Sequence, residues 1–91
     1  MYQLDFTKKA KEDIEALVKS GDKSAIKKLY VLLDELMEHP ETGTGQPEEL
    51  KHGLSGCWSR RINQKNRLVY KIEKSIITVI VLQAKGHYED K

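Results

Sequence analysis

Ninety-one residues carrying 16 Lys/Arg against 14 Asp/Glu, a net charge of +2, with three His and one Cys, are read as one small domain spanning 1–91. A chain of this length buries only about 60–65 % of its unfolded surface, so the core is modest and a partner is expected. No apolar run approaches the roughly 20 residues that cross a bilayer, no signal peptide is seen in residues 1–20, and the lone Cys57 excludes an internal disulfide framework; together these point to a cytoplasmic protein.

The chain opens on YQLDF, where Tyr2, Leu4 and Phe6 alternate as in a short strand. Thr7 is placed to cap a helix in which Ala10, Ile14, Leu17 and Val18 recur at helical spacing up to Ser20-Gly21. Asp22 is placed to cap a second helix, whose stripe is Ile26, Leu29, Tyr30, Leu33, Leu36 and Met37 and whose end is set by Pro40. Stripes of this regularity are core rather than a cofactor box. HPETGTGQP is a loop, and it lacks the Lys and Ser/Thr of a phosphate-binding loop. Strands are predicted at about 48–52, 57–62, 67–73 and 75–83. The last, SIITVIVLQ, is apolar on both parities and belongs in the interior of a sheet. Helices first and strands after make an α+β fold: two N-terminal helices on one face of a small, mostly antiparallel twisted sheet.

Charge divides along the chain. Residues 1–50 hold 7 Lys/Arg and 11 Asp/Glu, a sum of −4, whereas 51–88 hold 8 Lys/Arg and one acid, Glu73, a sum of +7. The second half is either a basic surface for a polyanion or a solvated sheet face beside an acidic helix layer. The hairpin LSGCWSRRINQKNRLVYKI separates these readings. Its apolar members Ile62, Leu68, Tyr70 and Ile72 must share the helix-facing side, so even residues pair with even ones, Ile62 opposite Leu68 for example. Arg61 and Arg67 then project together from the other, open face. A shift by one residue would bury an unpaired Arg67, at a cost of several kcal/mol. Two guanidiniums side by side repel, and stability does not ask for them; a phosphate does. By the same parity Arg60 points to the helix side and is structural, pairing with an acid from the first half.

Glu48 and Lys51 on the strand entering the sheet, and His87 and Tyr88 after the last strand, complete the chemistry. A carboxylate, an imidazole and arginines suffice to cleave RNA without a metal. A base takes the 2′-hydroxyl proton, cations hold the charge on the phosphorane, and an acid protonates the departing 5′-oxygen. Lys51 also reads as an edge-strand charge that blocks aggregation, Trp58 as a packed aromatic and Tyr88 as packing at the end of the chain. His39 and His52 have no ligand spacing with Cys57, so neither metal nor cofactor is expected.

Over GQPEELKHGLSGCWSRRINQKNRLVY and AKGHY the chain resembles the YoeB/Txe family of bacterial toxins, within the RelE-like superfamily. The run P-E-x-L-K-H-x-L-S-G-x-W-S-R-R-I, followed by R-L-V-Y and H-Y, carries the resemblance. It implies the toxin of a type II toxin–antitoxin system, a ribosome-dependent messenger-RNA endonuclease neutralised by a YefM-like antitoxin. The partners implied are that antitoxin, the ribosome and mRNA, with no membrane; a homodimer stays open. The family's general base falls on Glu48, its phosphate-binding arginine on Arg67 with Arg61 and Lys51 in support, its general acid on His87 and its terminal tyrosine on Tyr88. Gln46, Glu49, Cys57 and Asn66 depart from the family's pattern. The alternative is a non-catalytic module of the same fold that acts by binding a protein such as gyrase. Such a module has no need of a paired acid and base.

Overall fold

The structure, a computed structural model, describes residues 1–51 and 56–86. Strand β1 (Gln3–Phe6) leads into helices α1 (Lys8–Lys19) and α2 (Lys23–Glu38). Strands β2 (Glu48–Glu49), β3 (Cys57–Arg61), β4 (Arg67–Glu73) and β5 (Thr78–Gln83) follow, with a 3-10 turn over Lys74–Ile76. Both predicted caps form: Thr7 Oγ1 accepts from the Ala10 amide and Asp22 Oδ1 from the Ala25 amide, each satisfying one N–H that a helix start leaves unpaired. α2 stops two residues before Pro40, because the residue preceding a proline is driven out of helical conformation.

The sheet order is β1-β5-β4-β3-β2, with β1 parallel to β5 and every other pair antiparallel. β5 is therefore interior, as its two-sided apolar sequence requires. The helices cover one face. Ala10 and Leu17 of α1 and Leu29, Leu32 and Leu36 of α2 close over Leu68, Tyr70, Ile72, Val79 and Val81. Trp58 packs against this core as an aromatic rather than standing free.

Four expectations are corrected. Tyr30 and Val18 do not join the core: they are 51 % and 43 % exposed, and Leu32, wholly buried, takes the place given to Tyr30. A 100° step per residue places both flanks of a stripe equally, and the sheet covers only one of them. The segment 48–52 shrinks to Glu48–Glu49, and 75–83 to Thr78–Gln83. In the second case Ile76 and Ile77 continue the apolar run through a turn, Ile77 in the left-handed region at φ 50°. The hairpin keeps its parity but not its offset: Arg61 lies opposite Arg67 and Arg60 opposite Leu68, which brings Ile62 to Asn66. Asn63 sets this offset, its Oδ1 accepting from the Lys65 and Asn66 amides and tightening the turn. Finally, the second face of the sheet is not wholly open. Leu50, Cys57 and Val69 form a small cluster there, joined by Leu82. The register shifts between Tyr70, opposite Val81, and Val69, opposite Gln83, so Leu82 has no opposite residue.

Arg60 is fully buried and pairs with Glu35 of α2 at 2.8 Å. Its guanidinium uses all five donors. Nε donates to Tyr70 Oη, Nη1 to Glu35 and the Thr44 carbonyl, and Nη2 to the His39 and Thr42 carbonyls. Tyr70 Oη in turn donates to the Pro40 carbonyl at 2.6 Å. The loop 39–45 is thus wrapped around one side chain. Gly45, at φ 85°, closes it against the sheet: its carbonyl accepts from the Arg61 amide, and a Cβ there would meet the Arg61 carbonyl at 2.9 Å.

Burial pushes the Glu35 carboxyl up, but hydrogen bonds from the Thr44 hydroxyl and amide and from Arg60, with the charge of Arg60, outweigh it and hold the group below its ordinary value of 4.5. The folded pKa therefore lies below the unfolded one. The stabilisation is whole above about pH 4.5 and is lost as pH falls through the lower folded value. Urea midpoints measured from pH 6 to 2.5 are expected to drop across that window. Glu35→Gln should start lower at pH 6 and show a shallower drop.

Candidate active site on the sheet face

The face of the sheet turned away from the helices carries the charged groups. Glu48 lies opposite Ser59 across β2 and β3, and Arg61 opposite Arg67 across β3 and β4. Residues paired across antiparallel strands share a face, so Glu48, Ser59, Arg61 and Arg67 stand together. This is the side of Arg61 and Arg67 that the hairpin parity predicts.

The side chains then refine the picture. Arg67 leans back along β3: its Nε and Nη2 both donate to Ser59 Oγ, at 3.2 and 3.0 Å. Nη2 lies 3.9 Å from Glu48 Oε2. That is an ion-pair distance but too long for a hydrogen bond. The Glu48 side chain is 69 % exposed and that of Arg67 is 18 % exposed. The carboxylate is thus near the cation without being locked to it, and its oxygens remain open to a proton donor. Arg61 is exposed beside them, and Lys51, also exposed, follows two residues after β2. The arrangement supplies a free acceptor next to an oriented cation on an accessible surface, the pairing that proton abstraction and phosphate binding need.

His87 and Tyr88, the remaining two predicted site residues, lie outside the described residues. The chain leading to them is held up to Gly86. After β5 the Ala84 amide donates to Asp13 Oδ2 of α1 at 3.1 Å, and the Gly86 amide donates to Asn66 Oδ1 at 2.8 Å. The Arg67 amide returns a bond to the Gly86 carbonyl at 2.9 Å. Gly86 is therefore stitched to the residues that open β4, and the strand exit lies beside Arg67. Among the described residues no group of three or more His, Cys, Asp or Glu side chains is arranged to hold a metal ion, and no helix is long and apolar enough to cross a membrane.

Sequence reasoning missed Ser59, Asn66 and Asp13 as parts of this site. Ser59 had a signal, since it shares the parity of Arg61 in CWSRR. Asn66 had one in standing where the family pattern differs. Asp13 had none, because it reaches 71 positions along the chain to a backbone amide.

Comparison with known proteins gives a consistent likeness. The family described as "YoeB-like toxin of bacterial type II toxin-antitoxin system" matches residues 6–88. Toxin YoeB of Escherichia coli (strain K12) is 40 % identical over 67 residues, covering 74 % of this chain and 77 % of that protein. The solved structure of a YoeB/ParE toxin from Agrobacterium tumefaciens superposes with a TM-score of 0.84 at 32 % identity, covering 94 % of this chain and 99 % of the other. A YoeB–YefM complex from Staphylococcus aureus superposes with a TM-score of 0.78 at 32 % identity, covering 97 % and 99 %.

Proposed function

Because the chain belongs to the YoeB-like toxins of bacterial type II toxin–antitoxin systems, we propose that it is a ribosome-dependent endoribonuclease that cleaves messenger RNA in the cytoplasm. The observation that carries this reading is the juxtaposition of Glu48 and Arg67, an exposed carboxylate 3.9 Å from an oriented guanidinium. A protein that merely blocks a target gains nothing from a free base beside a phosphate-binding cation.

In this mechanism the substrate supplies its own nucleophile. Glu48 takes the proton of the 2′-hydroxyl, which attacks the adjacent phosphorus. Arg67, supported by Arg61 and Lys51, neutralises the charge that builds on the phosphorane oxygens. His87 donates a proton to the 5′-oxygen as the P–O bond to it breaks, and Tyr88 borders the scissile nucleotide. No metal takes part. The products carry a 2′,3′-cyclic phosphate and a 5′-hydroxyl. A message with a single 2′-deoxy residue at the scissile nucleotide is expected to resist cleavage, with no product above background on a sequencing gel. Cutting of that substrate would require an activated water and would overturn the mechanism.

The restraining partner is a YefM-like antitoxin, as a protein of that name is in complex with the Staphylococcus aureus relative. A segment rich in Asp and Glu fits the sum of +7 carried by residues 51–88. The deciding experiment is primer extension on a translated message with purified protein and ribosomes. Cuts inside the reading frame support the reading. An intact message with gyrase inhibited instead overturns it.

A further inference from the structure

We propose that Ser59 is a positioning residue that fixes which edge of the Arg67 guanidinium meets the substrate phosphate. The proposal rests on the reading of Arg67 as the phosphate-binding cation.

A guanidinium has two forked edges, one made by Nε with a terminal nitrogen and one made by the two terminal nitrogens. Ser59 Oγ accepts from Nε and from Nη2, so it occupies the first edge. Among the described residues nothing is hydrogen-bonded to the second edge, Nη1 with the outer hydrogen of Nη2, which keeps its fork geometry for a phosphate. Nη2 is also the atom nearest Glu48. Nη2 contributes a hydrogen to each edge, so the carboxylate stands beside the cation at an atom that the free edge shares.

Three properties suit Ser59 to this task. It is 2 % exposed, in β3 between β2 and β4, so its hydroxyl is fixed by the sheet rather than by a loop. It is small, which lets a long side chain fold back over it. It is neutral, so it orients the arginine without cancelling its charge, whereas a carboxylate at 59 would compete with the phosphate. An unrestrained arginine on an open sheet samples many rotamers, and ordering it before substrate arrives removes a cost from the transition state.

The test is a double-mutant cycle in the full chain, with single-turnover cleavage of a ribosome-bound message and urea midpoints for each protein. Ser59→Ala is expected to lower the saturating single-turnover rate constant by about 10–100-fold, the scale of a misplaced catalytic group. The half-saturating concentration should stay within about two-fold of wild type and the urea midpoint should hold. Ser59→Thr, which keeps the hydroxyl, should recover most of the loss. The double variant Ser59→Ala with Arg67→Ala should be no slower than Arg67→Ala alone, since Ser59 acts only through Arg67. Wild-type activity in Ser59→Ala, or losses that multiply in the double variant, would overturn the proposal and leave the role of Arg67 standing. Wild-type activity in Arg67→Ala would overturn the reading of Arg67, and the proposal with it.

Discussion

Replacing Arg67 with Ala is expected to slow single-turnover cleavage of a ribosome-bound message by about 10²–10³-fold, the usual loss when a group aimed at a developing oxyanion is removed. Glu48→Ala should cost about 10²–10⁴-fold, the span for a positioned proton acceptor. Neither change should move the urea midpoint appreciably. Glu48 is exposed on a two-residue edge strand, and among the described residues the Arg67 side chain bonds only to Ser59 and pairs only with Glu48, on the face away from the helices. The backbone bond from Arg67 to Gly86 survives both substitutions. Arg61→Ala should fall short of Arg67→Ala, because Arg61 adds charge without a fixed orientation. A fully active Glu48→Ala or Arg67→Ala protein would remove that residue from the chemistry.

One position away, the expected effect is on stability. Arg60→Ala should destabilise the fold by about 3–5 kcal/mol, the range for breaking a buried ion pair from one side. It leaves Glu35 without its cation and strips donors from three loop carbonyls and Tyr70 Oη. Against a domain stability of roughly 5–15 kcal/mol, that is a large share. The melting temperature should fall by more than about 10 °C. Arg60→Lys should recover little, because an ammonium has three donors on a flexible stem and cannot reach every acceptor at once. A small shift for Arg60→Ala in thermal or urea unfolding would show that loop 39–45 holds its shape without this side chain. Arginines of one hairpin thus give opposite signatures: Arg60 of β3 through folding, Arg61 of β3 and Arg67 of β4 through activity.

The contrast between those arginines was legible in the sequence, because strand parity decides which face a side chain takes. Parity does not decide which partners wait there. The acceptors around Arg60 are mostly carbonyls of an irregular loop, and a backbone carbonyl leaves no mark in the order of side chains. The caps at Thr7 and Asp22 were readable for the opposite reason: there the side chain itself makes the bond. The hairpin offset depended on one Asn side chain in the turn, which alternation of apolar residues cannot register. Ser59 was passed over because a hydroxyl gains its meaning only from the arginine laid across it. Residue chemistry puts Glu48 and the arginines into one reaction and the resemblance assigns their roles; parity puts Arg67 on that face without saying what stands beside it.

The parallel pairing of β1 with β5 joins Gln3 to Thr78 and Phe6 to Val81. As the chain is synthesised, the first strand waits for nearly the whole sequence before its partner exists. α1 and α2 can coil early, but their apolar faces have no Val79 or Val81 to close on. β4 likewise lacks the neighbour that holds it on the side away from β3. Contacts this distant in sequence also slow folding, since the long intervening chain must be ordered first. An unfinished or truncated chain therefore has Glu48, Ser59 and Arg67 in its sequence without the sheet that aligns them. A YoeB-like toxin assembled this way has no complete sheet face until the last strand has been delivered.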